Sequence, residues 1–151
     1  TVIENVKVGL AFGGRKSKVE RKWSGVMEII DFMGLTERAN VQARNLTLVE
    51  QKRLEVARAL ATNPDLLLLD EVVAGLNPVE VEEIMEKLKE IRKIGITILM
   101  VEHVMKAVMG ISDRIVVLHH GEKIAEGTPK EIASNEKVID AYLGEKYYFG
   151  E

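Results

Sequence analysis

The chain has 151 residues, 46% of them hydrophobic, which is enough for one domain with a real core and too apolar for a disordered chain. Its net charge of −3 offers no broad phosphate-tracking surface, so nucleic acid is not an expected partner. The absence of cysteine excludes disulfides and thiolate chemistry and suits a cytoplasmic protein.

No stretch approaches the roughly 18 consecutive apolar residues of a membrane helix. The first residues, TVIENVKVGL, do not read as a signal peptide, because no basic flank precedes an apolar core. Thr1–Lys18 give little regular signal. Gly13 and Gly14 mark a loop, and Arg15, Lys16 and Lys18 form a basic cluster that reads as a solvated face. From about Lys18 the pattern turns helical: Trp23, Val26, Met27, Ile30 and Met33 recur at three- and four-residue steps as a core stripe. Gly34 is placed to end that helix in a left-handed conformation.

Arg38–Asn45 is a polar connection. Thr47-Leu48-Val49-Glu50 fits a capping box, with the Thr47 hydroxyl capping a helix and Glu50 reaching back. That helix runs through Leu54, Val56, Ala57 and Leu60 until Asn63-Pro64 breaks it. Leu66 to Leu69 then run unbroken into Asp70 and Glu71. So short an apolar run suits a strand buried on both faces, and its terminal carboxylates sit where parallel sheets bind ligands.

Asn77-Pro78-Val79-Glu80 starts a further helix, with an N-cap and proline at the first position. Val81, Ile84, Met85, Leu88 and Ile91 form its buried stripe, and Gly95 stops it. Ile96–Val101 is a second strand, which completes a βαβ unit and ends at Glu102 and His103. A short helix over roughly 104–111 precedes a third apolar run, Arg114–Leu118. His119-His120-Gly121-Glu122 reads as a turn, with Lys123–Glu126 as the returning strand of a hairpin. Both histidines read as surface residues, and no third ligand suggests a metal site. Thr128-Pro129-Lys130-Glu131 is another capping box before a short helix. A last helix over 135–143 faces Val138, Ile139 and Tyr142 inward, and Gly144–Glu151 reads as a loose tail.

In order, NLTLVEQKRLEVARALATNPDLLLLDE, AGLNPVE, ITILMVEH and DRIVVLHHGEKIAEGTPKEI resemble the C-terminal two-thirds of an ATP-binding cassette (ABC) ATPase. The wording is most similar to the ATP-binding subunits of branched-chain amino acid importers. The resemblance implies an α/β, P-loop NTPase-like fold. It would hold a helical subdomain over about 1–62, and a catalytic-core remainder over about 63–151 that ends in a hairpin and short helices. Asp70 matches the Walker B aspartate, which would orient Mg²⁺ through water. Glu71 matches the general base for the attacking water. His103 matches the switch histidine. Gly75-Leu76-Asn77 matches the D-loop, and Thr47 to Gln51 the signature region that faces the ATP of an opposite subunit. On their own pattern, Thr47 and Asn77 are simply helix caps.

The chain departs from the family in three ways. No G-x-x-x-x-G-K-[ST] occurs, and Gly13-Gly14-Arg15-Lys16-Ser17 lacks both its spacing and a leading strand. The signature becomes Leu46-Thr47-Leu48-Val49-Glu50-Gln51, in which Val49 replaces a glycine that lets backbone approach phosphate and Glu50 adds negative charge. Val72 replaces the proline usual after the Walker B glutamate. The expectation is a truncated cassette beginning just after the Q-loop. It would bind Mg·ATP weakly on its own, with Leu66–Leu69 exposed at an edge and on one face. Such a chain is expected to self-associate or to need a complementary chain, and by family to dock a transmembrane permease at the inner face of the cell membrane. The competing readings are a non-catalytic dimerisation or interaction module and a fragment without a role.

Overall fold

A computed structural model of the protein describes residues 1–13 and 23–147. The chain folds as two compact units that divide after Val104.

The first unit opens with helix α1, Val2–Phe12, where periodicity alone gives no element. Its start is a capping box that the apolar pattern does not reveal: the Thr1 hydroxyl accepts from the Glu4 N–H and the Glu4 carboxylate returns to Thr1. The amides of Val2 and Ile3 donate to the carbonyls of Val41 and Ala39, which satisfies the open end of the helix. Helix α1 packs on α3, Leu48–Ala61. The approach is close at Gly9, where a Cβ would lie 2.5 Å from the Arg58 carbonyl oxygen.

Helix α2 is Val26–Phe32, shorter than the stripe from Lys18 suggests. Residues 14–22, with the basic cluster, lie outside the described residues. The stripe is also redrawn: Ile29, Ile30 and Met33 are buried while Met27 is exposed. Trp23 precedes the helix and stacks against Phe32, with ring centroids 4.7 Å apart. Gly34 has φ 68, as a left-handed helix stop requires. Two 3-10 turns, Thr36–Arg38 and Ala43–Asn45, make the polar connection to α3.

Strand β1, Leu66–Asp70, pairs in parallel with β2, Thr97–Val101, in a register that sets Asp70 beside Val101. Helix α4, Pro78–Lys93, connects them and buries the expected stripe of Val81, Ile84, Met85, Leu88 and Ile91. The reading of β1 as buried on both faces is corrected. Leu67 and Leu69 are buried, whereas Leu66 and Leu68 are 50% and 65% exposed. On β2, Leu99 and Val101 share that open face. A strand alternates its side chains, so only a second covering layer could bury all four leucines. Among the described residues no such layer covers that face, so it stays open and apolar.

The second unit begins with α5, Met105–Ile111, followed by the antiparallel strands β3, Ile115–His119, and β4, Glu122–Gly127. His120 and Gly121 make the two-residue turn with φ 49 and 82, the paired positive angles that match the strand twist. Helix α6, Pro129–Ala133, starts at the predicted Thr128–Glu131 capping box. Helix α7 is Glu136–Tyr147, so the helix runs beyond the predicted 143 and takes in the first half of the expected loose tail; residues 148–151 lie outside the described residues. Ile115, Val117, Ile132 and Val138 form the core of this unit. Ile139 and Tyr142 do not join it: they are exposed, and among the described residues of α7 only Val138 reaches this small core.

Candidate functional site

Parallel pairing brings the carboxyl ends of β1 and β2 to the same edge. The residues that follow the two strands therefore meet there, at the usual ligand position of such sheets. The Glu71 N–H extends the ladder by donating to the Val101 carbonyl at 2.9 Å. Its backbone then turns left-handed, φ 47, which aims the next residues away from the strand. Val72 and Val73 anchor the turn in the core, at 2% and 1% exposure. The Ala74 N–H returns to the Glu71 carbonyl at 3.1 Å.

His103 Nδ1 lies 3.2 Å from Glu71 Oε1. The two side chains are 66% and 54% exposed, so the pair faces solvent rather than a closed pocket. Glu102 lies between the two strand ends. Its Oε1 accepts the Val73 N–H at 2.9 Å, and its Oε2 accepts the N–H groups of His103 at 3.1 Å and Val104 at 3.4 Å. The Asp70 side chain is exposed and has no hydrogen bond or ion pair among the described residues.

Thr47, Gln51 and Asn77 do not hydrogen-bond to this pair. Thr47 caps α3: its hydroxyl accepts the Glu50 N–H at 3.4 Å and its own N–H donates to Glu50 Oε2 at 2.9 Å. Gln51 donates to the Leu46 carbonyl at 2.9 Å. Asn77 caps α4 by accepting from Val79 and Glu80 at 2.9 and 3.1 Å. Their neighbours do reach the turn after β1. Lys52 Nζ donates to the Glu71 carbonyl at 3.1 Å, and a Cβ on Gly75, φ 78, would come within 3.1 Å of Leu48 Cδ2. Glu50 is held below the ordinary carboxylate value, first by its hydrogen bond from Arg38 at 2.7 Å and then by the Thr47 N–H.

Motif matching singles out Glu71 and His103 and passes over Glu102 and Lys52, which hold their surroundings. An acidic residue directly before His103, and a lysine directly after the signature region, were the available signals.

Among the described residues no cluster of three or more His, Cys, Asp or Glu side chains could cage a metal. Mg²⁺ needs less: it keeps several waters and takes one or two carboxylates along with substrate phosphates. The free Asp70 carboxylate fits that demand. The phosphate side does not fit, because the 151 residues contain no Walker A loop. A shallow cavity of about 380 Å³, lined by Arg53, Val79, Glu82, Glu83, Glu86 and Lys87, includes none of these site residues.

The fold is that of an ABC ATPase. The ADP conformation of MJ1267, an ATP-binding cassette of an ABC transporter, superposes with a TM-score of 0.79 at 31% identity, covering 95% of this chain and 63% of that one. The family described as "ABC transporter" matches residues 1–74, and "Branched-chain amino acid ATP-binding cassette transporter" matches residues 122–148. The chain belongs to the ATP-binding cassette ATPases. It is similar to the high-affinity branched-chain amino acid transport ATP-binding protein LivG of Salmonella typhimurium, at 46% identity over 96% of this chain and 62% of that protein. LivG of Escherichia coli K12 is 52% identical over 77% of this chain and 46% of its own length. The chain thus spans between about half and three-fifths of the curated relatives it matches. Among the described residues no helix is long and apolar enough to cross a membrane.

Proposed function

We propose that this chain carries the hydrolytic and coupling part of the ATP-binding subunit of an ABC importer for branched-chain amino acids. The observation that supports it most is the Glu71–His103 contact, 3.2 Å, beside a free Asp70 carboxylate at the ends of two parallel strands. In this reading Glu71 takes a proton from the attacking water and His103 orients the reacting phosphate. Asp70 is the residue that would hold Mg²⁺, which would offset the charge of the phosphates. Mg·ATP supplies the phosphoanhydride that is cleaved. Thr47 and Gln51 face the nucleotide of an opposite subunit, and Asn77 belongs to the loop where subunits meet. Residues 1–62 form the helical subdomain and 63–151 the catalytic-core remainder.

The chain by itself binds nucleotide weakly, because no loop within it cradles the β- and γ-phosphates. It works with a chain, or a further segment, that supplies that loop, and it docks a transmembrane permease at the inner face of the membrane. A second reading, a non-catalytic interaction module, is favoured by the open face of Leu66, Leu68, Leu99 and Val101. Such a chain would associate through that face without hydrolysing ATP.

Calorimetric titration of Mg·ATP together with a hydrolysis assay on a joined protein separates the two. The 151-residue chain alone is expected to show no saturable binding at millimolar nucleotide. Joined to the phosphate-loop portion of a LivG relative, it is expected to hydrolyse ATP, and Glu71→Gln should lower that rate by a factor of about 10² or more. A joined protein that binds Mg·ATP tightly yet hydrolyses none would leave the interaction module as the better reading.

A further inference from the structure

We infer that Glu102 is a positioning residue that locks the Glu71 turn and the His103 loop into one unit. This rests on the reading of Glu71 and His103 as the hydrolytic pair. The sheet itself joins the two segments only as far as the Glu71 N–H, which meets the Val101 carbonyl. Beyond that point the two backbones leave the ladder. Among the described residues their remaining polar connections are the exposed Glu71–His103 contact and the Glu102 carboxylate. A solvent-facing pair of this kind holds little by itself.

Glu102 has the chemistry for the task. An ionised carboxylate only accepts, and it has lone pairs enough for several donors at once. One oxygen takes the Val73 N–H, across 29 residues of sequence, and the other takes the N–H groups of His103 and Val104. Hydrogen bonds from amides to a charged acceptor are stronger than neutral ones. Val72 and Val73 are buried, so the Val73 end of the link is fixed to the core. Glu71 lies two residues before Val73, and His103 directly follows Glu102. Both side chains are therefore positioned from the same carboxylate. Glu102 itself touches no reacting group.

Glutamine is the informative replacement, because it has the same shape and a single oxygen acceptor. Whichever way its amide is turned, an NH₂ group faces one of the two sets of N–H donors. Amide hydrogen exchange followed by NMR on the full chain reads this directly, without nucleotide. Glu102→Gln should speed exchange of either Val73 or the His103/Val104 pair by about tenfold, while buried Leu67 and Leu69 keep their protection. A second readout is the coupling between the functional side chains. Glu71→Gln shifts the His103 ring resonances, and in the Glu102→Gln background that shift should shrink about twofold or more.

In the unmutated chain, scalar coupling across the hydrogen bond from Val73 nitrogen to the Glu102 carboxyl carbon gives a test that needs no variant. Its absence would overturn the proposal. So would unchanged exchange in Glu102→Gln together with an undiminished His103 shift. Failure of ATP hydrolysis in the joined protein would instead overturn the proposed function and leave these amide measurements as they stand.

Discussion

Lys52 Nζ donates to the backbone carbonyl of Glu71 at 3.1 Å, so the second turn of α3 holds the turn that carries the carboxylate. The lysine side chain is 17% exposed, and its nearest acid, Glu55, stands further off at 3.8 Å. Leu48, from the first turn of the same helix, packs where Gly75 leaves room for it. A movement of α3 would therefore reach Glu71 through backbone rather than through its exposed side chain. Lys52→Met keeps the aliphatic stem and removes the charged donor. It should cost about 1.5–3 kcal/mol in urea unfolding, the usual range for a hydrogen bond to a charged group. A change within error would mean that the lysine is solvated and the turn holds itself.

Glu71 has φ 47, a left-handed angle that side chains other than glycine, asparagine and aspartate rarely adopt. That geometry costs stability at the very position proposed to act on water. Glu71→Asn should therefore be neutral or slightly stabilising, while Glu71→Val should destabilise by about 1–2 kcal/mol. Paired denaturation curves decide this. If valine is tolerated as well as asparagine, the turn is not held left-handed in solution.

The local elements were legible where one physical signal dominated. Capping boxes at Thr47, Asn77 and Thr128 and the stripe Val81 to Ile91 lie where residue type and period place them. Helix α1 was not legible from period because only Val2 and Val6 of its residues are buried; its capping box, Thr1 to Glu4, was the usable signal. Burial of Leu66 and Leu68 could not be read from the strand, because it depends on what else covers the sheet. Within the site, the family match pointed to Glu71 and His103. The supporting roles of Glu102 and Lys52 depend on parallel register and helix packing, which no local pattern encodes.

Leu67 and Leu68 are neighbours of identical chemistry at 2% and 65% exposure. Leu67→Ala should cost about 2–5 kcal/mol, as a buried leucine truncation does. Leu68→Thr should change stability by no more than about 0.5 kcal/mol, because it touches little and threonine suits a strand. The same Leu68→Thr change should reduce self-association in light scattering if the open leucine face is where copies or a partner meet. Equal destabilisation by both substitutions would mean that the face of Leu66 and Leu68 is covered in solution.

Glu50 joins the α3 capping box to Arg38, and both links stabilise its charged form. Its value in the folded protein is therefore below the ordinary 4.5 of an unfolded glutamate. A depressed carboxylate stabilises the fold at pH above the unfolded value and loses that contribution as pH falls through the folded one. Unfolding free energy of the first unit should thus fall on acidification from about pH 5 to about pH 2. Arg38→Met removes the largest cause of the shift, so the fall should be shallower in the variant. Glu4 and Glu28 are lowered too and titrate in the same direction, but they are common to both proteins and cancel in the difference. Urea unfolding of the two proteins at steps of pH measures that difference. Superimposable pH profiles would show that the Arg38–Glu50 pair, half open to solvent on the arginine side, is screened to nothing in water.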